Sequence, residues 1–302
     1  MSQIRIVEVG PRDGLQNEKT ILSTADKFSF IQMLTEAGLA AIETTSFVKA
    51  PAIPQMADAH DLYTQVANKL GNSGASYPCL VPNMHGLEDA LSVGVKEIAI
   101  FSATSDTFTK KNVNATVRET FERMAPVVAE AKKHGLRVRA YISMAYGCPY
   151  EGDIPLSKLA KVVEDFMKLD VYEVSIGDTI GIASPRQVSE SLKVLVPQFG
   201  ASKLAMHFHD TRGMALTNIL KSIEAGILTF DASAGGLGGC PYAKGATGNV
   251  ATEDVWYLCH SLGLKTGIEL DKLVAASKFI MEKVGKDTPS KFLRAYLNTG
   301  KI

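Results

Sequence analysis

The sequence lacks the features that would direct a chain to nucleic acid, to a membrane or out of the cell. Its 32 basic and 32 acidic residues cancel, so no excess of positive charge favours nucleic acid or an anionic membrane surface. No apolar run approaches the about 20 residues that a membrane helix needs. The first residues, MSQIRIVEVG, carry no secretory or transit signal, and LNTGKI at the end carries no peroxisomal or lipidation signal. We therefore expect a cytoplasmic protein without a nucleic-acid or membrane partner.

Cysteine is scarce as well. The four cysteines, Cys79, Cys148, Cys240 and Cys259, are scattered and form no CxxC pair. In a reducing compartment we therefore expect no disulfide framework. Cys79 and Cys259 lie in apolar patterns that predict burial, whereas Cys148 in AYGCPYEG permits either a core or a functional assignment. Cys240 differs from the others because it lies in a loop of glycines.

Short apolar runs alternate with longer amphipathic stretches along most of the chain. This pattern predicts an α/β protein built as a (β/α)8 TIM barrel. An open doubly wound sheet is the alternative, but it would place a glycine-rich GxGxxG turn after its first strand. Here the first run continues into VGPRDGLQNE, which is not that turn. The eight runs are Ile4–Val9, Ala40–Phe47, Tyr77–Val81, Glu97–Ser102, Arg137–Met144, Tyr172–Gly177, Leu204–His209 and Thr229–Ala232.

Local signals place helices between these runs. Ser184 followed by Pro185 is typical of a helix start, and glycines at 38, 135 and 226 are typical of helix ends. No linker, low-complexity segment or charge block interrupts the pattern. We therefore expect residues 1–302 to form a single TIM-barrel domain. Two further helical patterns, at about 264–302, are predicted to pack on the barrel as additional C-terminal helices.

Two histidines, His207 and His209, stand two residues apart in MHFHDTRGMAL. The flanking residues predict a buried strand, and side chains at i and i+2 of a strand point to the same face. Two imidazoles side by side at the end of a strand are well placed to chelate a metal. Two satisfied core histidines are the alternative, and the motif alone does not separate the two.

Polar side chains of the catalytic type gather at the same end of several predicted strands. In a (β/α)8 barrel that end, the carboxyl end, carries the active site. A barrel held together by packing alone would not need such residues there. They are Arg12 and Asp13 where the first strand is predicted to end, Glu43 and Ser46 in the second, Arg139 and Tyr141 in the fifth, Ser175 and Asp178 in the sixth, and His207 and His209 in the seventh.

Several of these residues also permit a purely structural assignment. Arg12 and Glu43 would satisfy one another as a buried ion pair, which is compatible with a functional role. The remaining alternatives are a turn residue at Asp13, a helix cap at Asp178, a buried apolar thiol at Cys240 and a helix N-cap at Asn249.

Two histidines and an aspartate, with room for one amide oxygen, would make a mixed nitrogen and oxygen site. Asn249 is predicted to open the helix that follows the glycine loop and is placed to lend that oxygen. The oxygen ligands and the absence of ligating thiolates suit Mg²⁺ or Mn²⁺, with Zn²⁺ or Co²⁺ as alternatives. We expect a divalent cation with an open position for substrate oxygens.

The glycine-rich stretch GGLGGCPYAKGATGNVATED, residues 235–254, is the other informative segment. It matches neither a P-loop nor a dinucleotide fingerprint. Its glycines predict a mobile segment that can adopt positive φ angles. A mobile loop that carries the thiol of Cys240 above a metal site is typical of a lid that delivers a catalytic group on closure.

At this point the sequence resembles the 3-hydroxy-3-methylglutaryl-CoA lyase family over nearly its whole length. The resemblance rests on EVGPRDGLQNE, IETTSFV, GCPYEG, GDTIG, HFHDTRGMAL and above all on the cysteine-bearing glycine loop. The first motif and the HxHD segment are shared more widely, with isopropylmalate, citramalate and homocitrate synthases, a ketoacid aldolase and biotin-linked carboxyltransferases. The departures lie between the motifs, for instance at Met144 and Arg212, and bear on the acyl chain accepted.

The resemblance implies a role for each matching residue. It implies that Arg12 is catalytic, that Glu43 positions the site and that the thiol of Cys240 takes part in proton transfer. The metal ligands it implies are Asp13, His207, His209 and Asn249. The substrate pocket it implies is lined by Arg12, Gln16, Ser46, Tyr141, Ser175 and Asp178.

The reaction implied is the metal-dependent cleavage of 3-hydroxy-3-methylglutaryl-CoA to acetyl-CoA and acetoacetate, as in leucine degradation. It also implies an acyl-CoA as the small-molecule partner, and we expect a homodimer. Three alternatives stay open: an acyl-CoA condensing synthase, a lyase of the same mechanism for a larger or citramalyl-like thioester, and an inactive barrel that serves as a scaffold. A synthase would lack the cysteine-bearing loop. A carboxyltransferase subunit is disfavoured because no biotinylation region is present.

Overall fold

The computed structural model describes residues 3–49, 53–239 and 248–300. Nine parallel strands form one sheet, and every one of the eight predicted apolar runs contributes to it. Its strands are β1 (Arg5–Glu8), β2 (Ala41–Ile42), β3 (Thr45–Ser46), β4 (Cys79–Leu80), β5 (Glu97–Ala103), β6 (Arg137–Ser143), β9 (Glu173–Asp178), β10 (Leu204–Phe208) and β11 (Thr229–Ala232); β7 (Gly147–Cys148) and β8 (Gly152–Asp153) form a separate antiparallel hairpin.

The sheet curls so that its two ends lie side by side. Its order is β2-β1-β11-β10-β9-β6-β5-β4-β3, and the end strands β2 and β3 are only two residues apart in the chain. Between them the backbone changes partner: the amide of Glu43 donates to the carbonyl of Glu8 at 2.8 Å, and that of Thr44 donates to the carbonyl of Pro78 at 3.0 Å. The predicted second strand is therefore two short strands. The result is an α/β fold of the TIM-barrel type, as the sequence predicts.

Helices follow the strands around the outside. They are α1 (Thr24–Glu36), α2 (Ala59–Leu70), α3 (Met84–Ser92), α4 (Asp106–Val113), α5 (Val117–Lys133), α6 (Leu156–Lys168), α7 (Pro185–Phe199), α8 (Ala215–Glu224), α9 (Thr252–Ser261), α10 (Leu270–Val284) and α11 (Lys291–Thr299). The predicted C-terminal helices are α10, which packs on α1, and α11, which packs on α9. None of the helices in the described ranges is both long and apolar enough to span a membrane.

The helix boundaries follow from local chemistry. Ser184 caps α7, with Pro185 in the first turn and Gln187 completing a capping box, as the Ser-Pro pair predicts. Thr116 and Glu119 form the same reciprocal box at the start of α5. Gly135 follows α5 with a φ of +72°, a conformation that favours glycine and ends the helix. The apolar faces of these helices cover the outer face of the sheet and form one large core with it.

Two predictions of local structure are wrong. The first strand ends at Glu8 and not at Arg12, because a π-helical turn over Gly10–Gly14 follows it and carries Arg12 and Asp13. Asn249 does not begin α9. The helix begins at Thr252 with Ala251 as its N-cap, and Asn249 instead forms an isolated antiparallel bridge with His209.

Candidate metal centre and active site

The turn after β1 brings Arg12 and Asp13 back over the mouth of the barrel. The amides of Arg12 and Gly14 both donate to the carbonyl of Val9, at 3.2 and 3.0 Å, which closes the turn tightly. A side chain at Gly14 would place its Cβ 2.8 Å from the hydroxyl of Ser233. The turn therefore packs directly against the end of β11, and glycine is required at this close approach.

Asp13, His207 and His209 converge at this mouth. His207 lies in β10 and His209 just after it, and their ring centroids are 5.3 Å apart. Each of the three residues offers one ligand atom within 4.8 Å of the others. The predicted same-face arrangement of the two imidazoles is therefore confirmed, and the aspartate joins them from a segment almost 200 residues earlier in the chain. Such a group is the minimum that a metal site needs.

His207 is oriented by a carboxylate that the sequence analysis did not select. Asp231 in β11 lies with Oδ2 at 3.2 Å from Nδ1 of His207, and the same oxygen accepts from the hydroxyl of Ser175 at 2.6 Å. Burial lowers the pKa of His207, but the hydrogen bond with Asp231 and the charge of that carboxylate outweigh burial and raise the pKa. A carboxylate behind a histidine fixes the ring and its tautomer, as in many metal sites. The signal in the sequence that could have revealed Asp231 was the presence of an acidic residue inside the predicted buried run 229–232.

His209 has a different environment. Its pKa is lowered to about 4, because burial disfavours the charged ring and the neighbouring His207 repels it. Its Nδ1 atom is buried and has no hydrogen-bond partner in the described ranges. A buried ring nitrogen without a partner is costly unless a further group binds there. A neutral imidazole beside a carboxylate fits the requirement of a divalent cation.

Asp13 is held as an anion by three neighbours. Its Oδ1 accepts from Arg12 and from the amide of Gln16, both at 2.8 Å, and its Oδ2 accepts from Nδ2 of Asn249 at 2.9 Å. Burial raises the pKa of Asp13, but Arg12 and then the two histidines outweigh it, and the pKa is lowered. The predicted ligand Asn249 therefore lies at the site, and its amide nitrogen faces Asp13 and the carbonyl of Leu237.

Arg12 is fixed between two carboxylates and an aromatic ring. Its Nε donates to Oε2 of the fully buried Glu43 at 2.8 Å, and its guanidinium carbon lies 5.4 Å from the ring centroid of Tyr141. Burial works against the charge of Arg12, but Glu43 and Asp13 outweigh it and the pKa is raised. The predicted Arg12–Glu43 ion pair is present. The other oxygen of Glu43 has no hydrogen-bond partner among the residues described.

The remaining predicted residues divide into two groups. Gln16, Tyr141 and Ser175 contact members of the centre directly, as described above. The Ser46 hydroxyl instead donates to the carbonyl of Leu80 at 3.3 Å, and the Asp178 carboxylate accepts from the amides of Ile182 and Ala183, both at 2.9 Å. These two side chains hold local backbone, although both lie at the mouth. The predicted loop thiol, Cys240, lies outside the described residues.

A second group of acids holds the base of the glycine loop. Glu8 accepts from the amides of Gly10 and Ala234, at 2.8 and 2.9 Å, and Glu253 accepts from that of Gly235 at 2.9 Å. Both carboxyls are fully buried, and burial raises the pKa of Glu8 to about 7 and that of Glu253 to about 8. The two acids therefore connect β1 and α9 to the short 3-10 turn at Ala234–Gly236.

Comparison with known proteins gives one consistent result. The sequence pattern of the HMGL-like family matches residues 3–280. The human mitochondrial hydroxymethylglutaryl-CoA lyase is 46% identical over 294 residues, covering 97% of this chain and 89% of the human one. The Bacillus subtilis HMG-CoA lyase structure superposes with a TM-score of 0.95 at 44% identity, covering 98% of this chain and 99% of that one. An HMG-CoA lyase from Acinetobacter baumannii, solved with coenzyme A and 3-methylmalate, gives a TM-score of 0.93 at 34% identity, covering 99% and 97%.

Proposed function

Because the chain belongs to the HMGL-like family, we propose that it is a hydroxymethylglutaryl-CoA lyase, which cleaves 3-hydroxy-3-methylglutaryl-CoA to acetyl-CoA and acetoacetate. The similarity to lyases of this name extends over nearly the whole chain. The observation that carries the proposal is the convergence of Asp13, His207 and His209 beside the fixed cation of Arg12. This carbon–carbon lyase chemistry needs a site for oxygen ligands and a permanent positive charge at the same place.

The bond changes define what the site must do. The hydroxyl on C3 of the substrate loses its proton, and the bond between C3 and the methylene next to the thioester breaks. The electrons of that bond form the enolate of acetyl-CoA, while C3 becomes the ketone carbon of acetoacetate. The enolate then takes a proton on carbon. The protein must therefore remove one proton, return one proton and stabilise negative charge on the thioester oxygen.

A divalent cation, Mg²⁺ or Mn²⁺, would be held by Asp13, His207 and His209, with Asn249 as the fourth protein ligand. Bound there, it would supply Lewis acidity toward substrate oxygens. The unpartnered Nδ1 of His209 and the carboxylate behind His207 fit such a group. The mixed nitrogen and oxygen donor set agrees with these ions.

Arg12 is the residue that we assign to charge stabilisation. Glu43 on one side and Asp13 on the other fix its guanidinium, so no reorganisation is needed when charge develops. Arginine keeps its charge throughout, and a planar guanidinium suits an enolate oxygen. Glu43 acts by holding Arg12, and we assign it a positioning role.

Two proton transfers remain to be assigned. Asp13 and His207 lie at the site, and we assign the removal of the hydroxyl proton to one of these two residues. Cys240, on the glycine loop, is assigned to a proton transfer as well, and a thiol near a cation has a lowered pKa. Gln16, Tyr141 and Ser175 are assigned to the substrate pocket, with Ser46 and Asp178 at its rim.

The remaining assignments concern the whole chain. We propose that β2 and β3 count as one strand, which gives a (β/α)8 barrel, with α10 and α11 as its additional helices. We propose that residues 1–302 form one domain, that the enzyme is a homodimer in the cytoplasm, and that it serves leucine degradation. A bacterial relative of the same length and name supports the cytoplasm, whereas the eukaryotic relatives are mitochondrial.

The test is a stoichiometric assay. Purified protein is treated with a chelator and then mixed with 3-hydroxy-3-methylglutaryl-CoA, with and without Mg²⁺ or Mn²⁺. We expect acetoacetate and acetyl-CoA in equal amounts only after metal is restored. Metal binding without either product would show that the centre is real and the substrate wrong. If the main activity were instead the condensation of acetyl-CoA with a keto acid, the protein would be a condensing synthase.

A further inference from the structure

The strand register shows which side chains face the barrel interior. Arg139 in β6 donates to Asp231 in β11 at 2.7 Å, although β9 and β10 lie between these two strands. Such a contact crosses the lumen, so the face of β6 that carries Arg139 points inward. Tyr141 is two residues further along and shares that face. Phe101 pairs with Tyr141 in the adjacent strand and therefore faces inward too.

One sector of the lumen is apolar and reaches the mouth. Leu80, Ala99 and Tyr141 form one packed cluster, and Phe101 packs against it. Leu80 and Tyr141 keep 7% and 9% of their surface exposed, and Phe101 is half-buried. We call Leu80, Phe101 and Tyr141 the apolar wall. A ligand that enters the mouth therefore meets these three side chains.

A second apolar group in the lumen is closed to ligands. Val7 pairs with Asp231 and with Ala41, so these residues face the same interior. Val7, Val9 and Ala41 form a cluster of their own, and none of them has any exposed surface. A substrate therefore cannot touch this second group. Among the described residues, the apolar surface of the lumen that a substrate can contact is the apolar wall.

The apolar wall adjoins the metal centre through Tyr141. Its ring lies 6.3 Å from that of His207, edge to face, and 5.4 Å from the guanidinium carbon of Arg12. A substrate whose oxygens bind at the centre therefore lies next to the wall. The mouth thus has a charged sector and an apolar sector in contact with each other.

From this division we infer that the apolar wall receives the methyl group on C3 of the substrate and limits the size of the group accepted there; the inference rests on the proposed function. C3 is tetrahedral and carries a hydroxyl, a carboxymethyl arm, a thioester arm and a methyl group. The hydroxyl and the carboxylate need the charged sector, and the thioester arm must leave the mouth because coenzyme A is large and polar. The methyl group is the one apolar substituent, and it faces the wall.

The two departures from the family pattern, at Met144 and Arg212, do not alter this wall. Met144 packs with Phe108, Cys148 and Ile180 in a separate cluster beneath the β7–β8 hairpin. Arg212 donates to the carbonyls of Ile180 and Gly181, at 2.8 and 3.1 Å. Neither side chain belongs to the apolar wall, so the size limit at C3 depends on Leu80, Phe101 and Tyr141.

The test compares two substrates that differ by one methylene at C3. The probes are 3-hydroxy-3-methylglutaryl-CoA and its 3-ethyl homologue, whose cleavage gives acetyl-CoA and 3-oxopentanoate. The variants are Phe101→Val and Leu80→Ala, each of which replaces a side chain of the wall by a smaller one and so enlarges the space at C3. One methylene in a fitted apolar pocket changes specificity about 10–200-fold. We therefore expect the kcat/KM ratio of ethyl to methyl substrate to rise at least ~10-fold in each variant.

The matched control is Phe121→Val. Phe121 contacts Phe166 with the ring centroids 4.7 Å apart and the rings tilted by 55°, between helices α5 and α6 and away from the lumen. This variant should leave the substrate ratio at the wild-type value. An unchanged ratio in both wall variants, with cleavage of the methyl substrate retained, would overturn the wall assignment alone. Failure of the wild-type protein to cleave the methyl substrate with metal present would overturn the proposed function and the wall assignment together. If one variant does not fold, the other decides.

Discussion

Asp231 stands directly behind His207, with its Oδ2 atom 3.2 Å from Nδ1 of the imidazole. The other oxygen of Asp231 accepts from Arg139 at 2.7 Å, so the carboxylate is itself held on both sides. Arg139 and then His207 outweigh the effect of burial and lower the pKa of Asp231. The carboxylate therefore stays charged and leaves Nε2 of His207 free to face Asp13, whose Oδ2 lies 4.0 Å away.

The first prediction concerns metal affinity. Asp231→Asn removes the charge behind His207 and should weaken Mn²⁺ binding about 10–100-fold, because a ligand histidine depends on its hydrogen-bond partner. Isothermal titration calorimetry of the chelator-treated protein measures the affinity. Asp170→Asn is the matched control, since Asp170 is exposed and pairs with Lys132 on the surface. An Asp231→Asn protein that folds and binds Mn²⁺ as tightly as the wild type would show that Asp231 serves only Arg139.

The second prediction concerns Arg12. Arg12→Lys keeps the positive charge but cannot reach Glu43 and Asp13 with the same planar geometry. Removing a preorganised donor costs about 10²–10³ in turnover, and we expect a loss of kcat in this range with Mn²⁺ affinity within threefold of wild type (roughly, below 1 kcal/mol). Steady-state kinetics gives the first value and calorimetry the second.

The control for that prediction is Arg186→Lys, where an exposed arginine on α7 pairs with Glu190 on the surface. It should behave as wild type in both measurements, because exposed ion pairs contribute little. Equal turnover in the Arg12→Lys and wild-type proteins would remove Arg12 from charge stabilisation. A loss of metal binding in Arg12→Lys would instead assign it to the support of Asp13.

The sequence was informative where the signal is local. The eight apolar runs predicted the strands because a buried parallel strand is apolar on both faces, and the HxH spacing predicted two neighbouring imidazoles. The β7–β8 hairpin was missed, since two-residue strands leave no pattern. Asp231 was missed because its meaning depends on Arg139, 92 residues away. The helix after the glycine loop was predicted to start too early, at Asn249 and not at Thr252, since the pairing of Asn249 with His209 is a long-range contact.

The third prediction is a pH dependence of stability that arises from Glu253. Burial raises its pKa in the folded protein to about 8, from an ordinary value of 4.5. Below pH 4.5 both the folded and the unfolded chain carry the proton, and this group's contribution is fully present. As the pH rises toward 8 the unfolded chain loses the proton while the folded chain keeps it, so the free energy of unfolding falls. The total loss is on the order of a few kcal/mol.

Glu253→Gln should flatten this dependence, because glutamine keeps the shape and does not titrate. Urea unfolding at several values between pH 5 and 8.5 provides the comparison. Glu269→Gln is the control, since Glu269 is exposed and pairs with Lys272; its curve should follow wild type. Glu8, with a pKa raised to about 7 by burial, adds a smaller contribution of the same sign that remains in the Glu253→Gln variant. Identical slopes in wild type and Glu253→Gln would show that Glu253 is already ionised in the folded protein.

The last prediction concerns Cys240, which lies beyond the segment that Glu8 and Glu253 hold. Cys240→Ser replaces the thiol with a hydroxyl that does not ionise near neutral pH. Loss of a positioned proton-transfer group costs about 10²–10⁴ in rate, so we expect turnover to fall at least ~100-fold with Mn²⁺ affinity unchanged. Cys259→Ala is the matched control, because Cys259 is a buried thiol in α9, where burial raises its pKa to about 11. It should retain wild-type turnover. Undiminished turnover in Cys240→Ser would leave both proton transfers to Asp13 and His207, whereas a parallel loss of metal binding would mean that the loop supports the centre itself.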